Sequence, residues 1–581
     1  MITGIAIENF KGIRERVEIK LRPITLLFGA NSAGKSSILH ALHYAVELFE
    51  RHNADAYQTV TGGPQLNLGG FANIVHGHDL NSTIWLKFNL KDSEDLLASM
   101  DEVDFDHVVY EHLQLRELEW TIYQFAQPTD EGSVEIGVRW DFISGQPHIA
   151  IYRLYFRDRI LAEITSEPHA RRVYLSQLDL AHPVLNRFSD VDVRGDEERA
   201  ATPLSDLVPI PDESLLSVCL RDSMQWFQRI SGGNPNSPDK STFLLFEDAT
   251  CALPEPGSKS LRLCLKSRDD VFGSDELVNA ELDEQLESGE CEWGRTQDIA
   301  HSTAFGLTRL LFDPVEVVRK SLGGFRYLGP IREVTQRNHV PSRIGERERW
   351  ASGVAAWDLL ATSSEKFIDS VSQWLGDEDR LNSGFHLRLK RFKELDLSDP
   401  LVVQLLTGRA FDEAEVDAKL DLSKVPTKSR VLIVPRDDSI ELSPSDVGIG
   451  ISQVVPVIIT ALDGSSRFIA IEQPELHLHP RLQAEIADLF LEAVKHRNHQ
   501  FLIETHSEHC ILRLQRRIRE TTKGTSPDDR SLMSEDIVVY HVSSEDGCTR
   551  LRRIDVDKNG EFVQPWPDDF FEIDFYERFG R

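Results

Sequence analysis

The sequence predicts an α/β fold: a mixed central sheet around a phosphate-binding loop, an attached antiparallel β subdomain and a helical insertion. Three observations carry the prediction. First, Gly29 to Ser36 spell GANSAGKS, which fits G-x-x-x-x-G-K-[ST]. The apolar run Leu26–Phe28 precedes it, and Ile38, Leu39, Leu42, Ala45, Val46 and Phe49 follow at the one-sided spacing of an amphipathic helix. Second, two later apolar runs end in polar residues: Phe468–Ile471 runs into Glu472, and Phe501–Ile503 into Glu504-Thr-His506. Third, alternation of period two at 84–90, 117–122, 134–142 and 149–154 reads as an antiparallel meander.

At 581 residues the chain exceeds a single ordinary core. The expected division is an N-terminal nucleotide-binding lobe over 1–165, a helical middle region bearing a partner or dimer surface over 166–430, and a C-terminal lobe over 431–581. No hydrophobic span of about 20 residues is present, so no membrane helix is expected. The N-terminus lacks a signal-peptide layout. Six widely spaced cysteines form no C-x-x-C pair, which suits reduced thiols and a cytoplasmic location. The net charge of −31 argues against a surface coated for non-specific nucleic-acid binding, though it leaves room for a local basic groove. Two basic runs, Arg388–Lys393 and Arg513–Arg519, read as solvated faces.

Along the chain, Ile5 and Ile7 mark a first strand. The glycines of 61–76 mark a loop, in which Gln65 is a candidate metal- or water-contacting glutamine but reads better as a plain loop residue. Helices are expected over 213–230, 298–311 and 353–375, and the segment Phe325–Arg332 reads as a strand ending in a turn. VLIVP (431–435) and SIEL (439–442) read as strands. Gly448, Gly450, Ser452 and Gln453 open an apolar helix containing Pro456, and Pro480 starts another.

The chemistry follows from these positions. Gly29, Ala30, Asn31, Ser32, Ala33, Gly34, Lys35, Ser36 and Ser37 form a loop whose N–H groups, at a helix start, favour a polyanion. Lys35 would reach the β- and γ-phosphates of ATP, and Ser36 would bind Mg²⁺. An apolar strand ending in an acid is the second metal element such a site needs, which selects Glu472 beside Ser36. His506 would arrive at the same sheet edge and could contact the γ-phosphate. His477 and His479, taken as alternate strand residues, share a face but lack a third ligand for a metal site.

The stretches FGANSAGKSS, YLGPIRE, DVGIGISQVVPVI, IEQPELHLHP and IETHSEHCILRL, with the terminal GEFVQPWPDDFF, resemble the ABC-type ATPases of the SMC, RecF and OLD group. More closely they resemble bacterial AAA-family ATP-binding proteins encoded with phage-defence genes, such as the ATPase subunits of Septu and Gabija systems. The resemblance implies an ATPase head in which Gly448, Gly450, Ser452 and Gln453 touch the γ-phosphate held by a second subunit. It also implies a homodimer or higher homo-oligomer and an effector partner, a nuclease or toxin encoded nearby. Relatives place a glutamate directly after the metal-binding acid, where this chain has Gln473. An amide accepts no proton, so slow hydrolysis is expected, with Glu475 as a substitute base and His477 as a weaker one. OLD-type relatives carry a nuclease domain after the ATPase. With 75 residues after His506, no such domain is expected here, and any cleavage of nucleic acid is expected from a separate protein. A RecF-like DNA clamp and a scaffold with structural ATP remain the alternatives.

Overall fold

The computed structural model describes residues 2–91, 132–179 apart from 157 and 171, 243–247, 251–253, 311–398 apart from 338 and 343–346, 402–403, 406–407, and 425–567 apart from 438–439 and 466–467. Two large sheets organise them. The first has six strands in the order β10 (Phe325–Leu328), β13 (Phe468–Glu472), β14 (Gln500–Glu504), β3 (Ile24–Phe28), β15 (Ile537–Glu545) and β16 (Cys548–Ile554). Its first five strands are parallel, and β16 returns antiparallel to β15. The runs ITLLF, FIAIE and QFLIE are buried along their whole length. This is the pattern of strands covered on both faces.

The second sheet is antiparallel with eight strands. Its order is β2 (Val17–Lys20), β1 (Ile2–Glu8), β4 (Ile84–Leu90), β5 (Gly132–Asp141), β6 (Gln146–Phe156), β7 (Arg159–Glu167), β8 (Arg172–Leu178) and β9 (Phe243–Glu247). β4, β5 and β6 fall on the expected runs at 84–90, 134–142 and 149–154, and β7 and β8 extend the meander beyond them. The run at 117–122 lies outside the described residues. The sheets cross the expected boundaries: β7 runs through residue 165, and β10, from the middle region, pairs with β13.

Helix α1 (Lys35–Arg51) lies between the two sheets. His43 packs edge-on against Tyr327 of the six-stranded sheet, and Phe49 against Phe88 of the eight-stranded one. The predicted one-sided helix is therefore buried on nearly every side, Ala41, His43, Tyr44, Glu47 and Leu48 included. A helix sandwiched between two sheets has no solvent face to keep polar. On the opposite face of the six-stranded sheet, Ile24, Leu26, Ile469, Ile471 and Ile503 join a second core. Its helical cover is α2 (Val354–Thr362), α3 (Glu365–Gly376), α4 (Ile449–Leu462), α5 (Pro480–Arg497) and α6 (Glu508–Thr522).

Several local expectations change. The stretch 353–375 is two helices, because Ser363 and Ser364 leave the helical conformation and the Ser364 side chain caps α3. A helical segment occupies 311–323; the rest of 298–311 and all of 213–230 lie outside the described residues. VLIVP belongs to β12 (Thr427–Pro435), which pairs with β11 (Phe385–Lys393) as a separate ribbon. SIEL contributes a single bridge, Ile433 with Leu442. His477 is not on a strand. It sits in a turn at φ 63°, and His479 caps α5. Among the described residues no group of three or more His, Cys, Asp or Glu could hold a metal ion, and no helix is long and apolar enough to cross a membrane.

The basic runs divide. On β11, Arg388, Lys390 and Arg391 are exposed and pair with Glu441 and Glu365. On α6, Arg513 and Arg517 turn inward onto the buried Asp488 of α5, so half of that run is internal cross-linking and no solvated face.

Truncating the fully buried Phe49 would open a cavity between both sheets. Phe49→Ala is expected to cost about 3–5 kcal/mol, read as a lowered midpoint in chemical or thermal denaturation. An unchanged midpoint would contradict the sandwiched position of α1.

Candidate functional site

The parallel register sets the site. Ladder pairs Glu472–Glu504 and Glu504–Leu27 bring the ends of β13, β14 and β3 level. The loop after β3 curls over these ends. Gly29 has φ 150°, and a Cβ there would lie 2.1 Å from the Val542 carbonyl oxygen; Gly34 has φ 105°, and its Cβ would lie 2.1 Å from Thr549 Oγ1. Both positions exclude a side chain. Gly34 also caps α1, so the unpaired N–H groups of the first helical turn face the loop.

Beneath the loop is a cavity of about 400 Å³ lined by Lys11, Asn31, Ser32, Gly34, Lys35, Ser36, Ser37, His40, Glu472, Gln473 and Glu504. Lys35 is 3% exposed. Its Nζ donates to the carbonyls of Gly29 (3.0 Å) and Ala30 (2.8 Å) and lies 3.6 Å from Glu504 Oε1. Burial lowers its pKa while Glu504 opposes the shift. Ser36 Oγ donates to Glu504 Oε2 at 3.1 Å. Glu472 Oε1 accepts from the Tyr327 hydroxyl at 2.8 Å.

The acid hydrogen-bonded to Ser36 is therefore Glu504, while Glu472 lies in the same cavity on the Tyr327 side. The sequence pattern points to Glu472, yet Glu504 carries the same signal, an acid closing an apolar strand. Burial, then the neighbouring Glu504 charge, pushes the Glu472 carboxyl up to about 7. Glu504 is also raised by burial. Lys11 and His40, 2.6 Å apart at the cavity wall, had no sequence signal. Burial lowers them to about 8 and about 3 respectively, so the pair is one ammonium donating to a neutral ring.

Gln473 follows Glu472 in the left-handed region at φ 44°, a conformation that costs a non-glycine residue of order 1 kcal/mol. It is held there by its N–H, which donates to the Glu504 carbonyl at 2.7 Å. Glu475 stands behind the cavity wall, where its Oε1 accepts from the His506 backbone N–H at 2.7 Å. Glu475 Oε2 and His506 Nε2 are both buried with no hydrogen-bond partner. Burial raises the Glu475 pKa and lowers that of His506.

The remaining predicted residues lie outside the cavity. Ala33 is buried under the loop. Gly448 caps α4 and is exposed, and Gly450 follows. Ser452 and Gln453 point inward. Ser452 Oγ donates to the Pro444 carbonyl at 2.7 Å, and the Gln453 amide bonds the backbone N–H and C=O of Arg332. As placed, these two side chains are engaged within the chain. The cause is that α4 is buried almost all round. Gln65 reaches toward the Ile331 carbonyl and lines a different cavity, so it stays a loop residue.

Over residues 1–114 and 381–511 the chain matches the family model described as an AAA ATPase domain, together less than half of its length. Nucleotide binding and hydrolysis are that domain's general activity. No curated protein matches the chain. Solved structures similar to it include an Smc head bound to the C-winged helix domain of ScpA, with 11% identity, 96% of this chain and 98% of that chain covered, and a TM-score of 0.36. An Smc head domain with an extended coiled coil bound to the C-terminal domain of ScpA, from Pyrococcus furiosus, has 11% identity, 95% and 96% coverage and a TM-score of 0.34. The SMC head domain from Thermotoga maritima has 9% identity, 96% and 99% coverage and a TM-score of 0.32. Likeness at this level is too weak to carry function.

Because the Glu472 carboxyl is raised from its ordinary 4.5 to about 7, the folded chain binds more protons there than the unfolded chain between those values. The protein loses stability as pH rises through that window. Glu472→Gln should therefore raise the melting temperature of the nucleotide-free protein at about pH 8, by the equivalent of roughly 3 kcal/mol, with the gain vanishing below about pH 4. An equal gain at both pH values would contradict this.

Proposed function

We propose that the chain is an ATP-dependent switch. It binds ATP with Mg²⁺ under the Gly29–Ser36 loop, hydrolyses it slowly, and closes a dimer around the nucleotide to control a partner protein. The observation that carries this reading is the meeting, at one cavity, of Lys35 and Ser36 with carboxylates from two other strands, Glu472 and Glu504. The loop N–H groups and the α1 dipole suit phosphate oxygens, and Lys35 would leave its own loop carbonyls for the β- and γ-phosphates.

The donor set fits Mg²⁺, a hard cation that takes hydroxyl and carboxylate oxygen while keeping phosphate and water ligands. Ser36 would hold it, with Glu472 or Glu504 alongside. Bound there, the metal supplies positive charge that offsets both the phosphates and the buried acids.

Glu475 is the base this reading favours. Gln473 is an amide at the cavity wall and can orient a water but not take its proton. Glu475 has a buried, unpartnered oxygen, and burial makes it more basic. His506 presents an unpartnered ring nitrogen beside it. Contact with a second copy would involve the backbone of Gly448–Gly450 and the exposed Ile449. An effector of nuclease or toxin type, in bacterial anti-phage defence, is supported by the sequence resemblance alone. On that reading the effector is a separate protein and this chain cuts no nucleic acid.

Calorimetric titration with Mg²⁺-ATP tests the site: Lys35→Ala is expected to weaken binding by roughly 30-fold or more. In steady-state assays Glu475→Gln is expected to lower kcat about 100-fold with KM little changed. It should also leave an ATP-bound dimer visible by light scattering. Wild-type protein that fails to retain ATP would sink the proposal, and unchanged turnover in Glu475→Gln would remove Glu475 as base.

A further inference from the structure

Arg332 lies four residues beyond β10, in the segment Gly329–Arg332, and is 2% exposed. Such burial of a guanidinium is costly unless its donors are spent; Nη1 and Nη2 have backbone partners, while the buried Nε has none. Nη2 donates to the carbonyls of Glu472 (2.6 Å) and Gln473 (3.2 Å), and Nη1 to that of Gln453 (3.4 Å). The β10–β13 ladder ends at the pair Leu328–Ile471. The guanidinium thus serves the last carbonyl of β13 and the one just after it, both past the last residue paired with β10.

The backbone of the same residue is gripped from the other side. Arg332 N–H donates to Gln453 Oε1 (3.1 Å), and Gln453 Nε2 donates to Arg332 O (2.5 Å). Gln453 is in the first turns of α4. The start of that helix also packs on the turn after Gln473, because a Cβ at Gly450 would lie 2.6 Å from the His477 carbonyl oxygen. One buried side chain therefore joins the cavity's acid-bearing strand end to a helix whose first residue, Ile449, is 56% exposed.

We propose that Arg332 is a positioning residue that couples the nucleotide cavity to the exposed first turn of α4. The assignment rests on the nucleotide site proposed above. When ligand at Glu472 and Gln473 shifts their backbone, the guanidinium and the Gln453 amide carry that shift to Gly448 and Ile449. Arg332 touches neither phosphate nor water in this scheme. It acts through the carbonyls it holds, so its loss should impair turnover and the α4 response and spare nucleotide affinity.

The experiment is hydrogen-exchange mass spectrometry with and without Mg²⁺-ATP on wild type, Arg332→Lys, Arg332→Gln and Gln453→Ala, alongside steady-state kinetics. In wild type, ATP is expected to slow exchange over both 29–37 and 445–453. In the Arg332 variants, protection over 29–37 and KM should stay within about three-fold while kcat falls about ten-fold or more. The ATP-dependent change over 445–453 should disappear. Gln453→Ala breaks the helix side without removing the buried charge and should lose the same α4 response, so the test survives if the arginine variants do not fold. A persistent α4 response with unaltered kcat overturns the assignment, as does a parallel loss of KM, kcat and melting temperature. Wild type without protection over 29–37 would instead refute the nucleotide site itself.

Discussion

The site depends on one constraint, the in-register parallel pairing of β13, β14 and β3. It sets Glu472 opposite Glu504 and Glu504 opposite Leu27, two residues before the loop begins. Strand side chains alternate faces, so a slip of one residue in either ladder would send an acid to the other side of the sheet. The register is held by what the strands bury. Leu27, Ala470 and Leu502 face α1, while Leu26, Ile471 and Ile503 face the helices on the far side. Hydrophobic sorting on two faces thereby fixes the position of polar groups at the strand ends.

Those polar groups are expensive. Glu472, Glu475 and Glu504 are all raised by burial, with Lys35 and Arg332 as the cations felt closest to them. A cluster with more acid than its cations balance favours an incoming positive charge. Neutral contacts keep it in place meanwhile. Tyr327 donates to Glu472, and the His43 ring of α1, neutral through burial, stands edge-on to Tyr327 with centroids 4.4 Å apart. His43 Nδ1 in turn meets Thr61 Oγ1 at 2.5 Å. The helix that begins under the phosphate loop therefore also buttresses the acid facing it.

The matched AAA ATPase segments, 1–114 and 381–511, include β3, α1, α4, β13 and β14. Tyr327 and Arg332 come from the stretch between them, and both touch the end of β13. The middle of the chain thus completes the site as well as lying beside it. Among the described residues, accordingly, the eight-stranded sheet draws strands from both sides of 165 and the six-stranded sheet from both sides of 430.

Much of this was readable from the residues in order. The phosphate loop, its flanking strand and helix, the two acid- or histidine-bearing strand ends and the meander are local patterns, and local patterns survive because periodicity and glycine conformation act over a few residues. Which of two strand-end acids meets Ser36, whether Gln453 faces a second subunit or Arg332, and whether α1 shows one apolar side or none were decided by packing between segments far apart in the chain. Composition supplied no trace of these choices. A side chain's partner in a ladder or a core depends on register and layer order, which residues distant in sequence settle together.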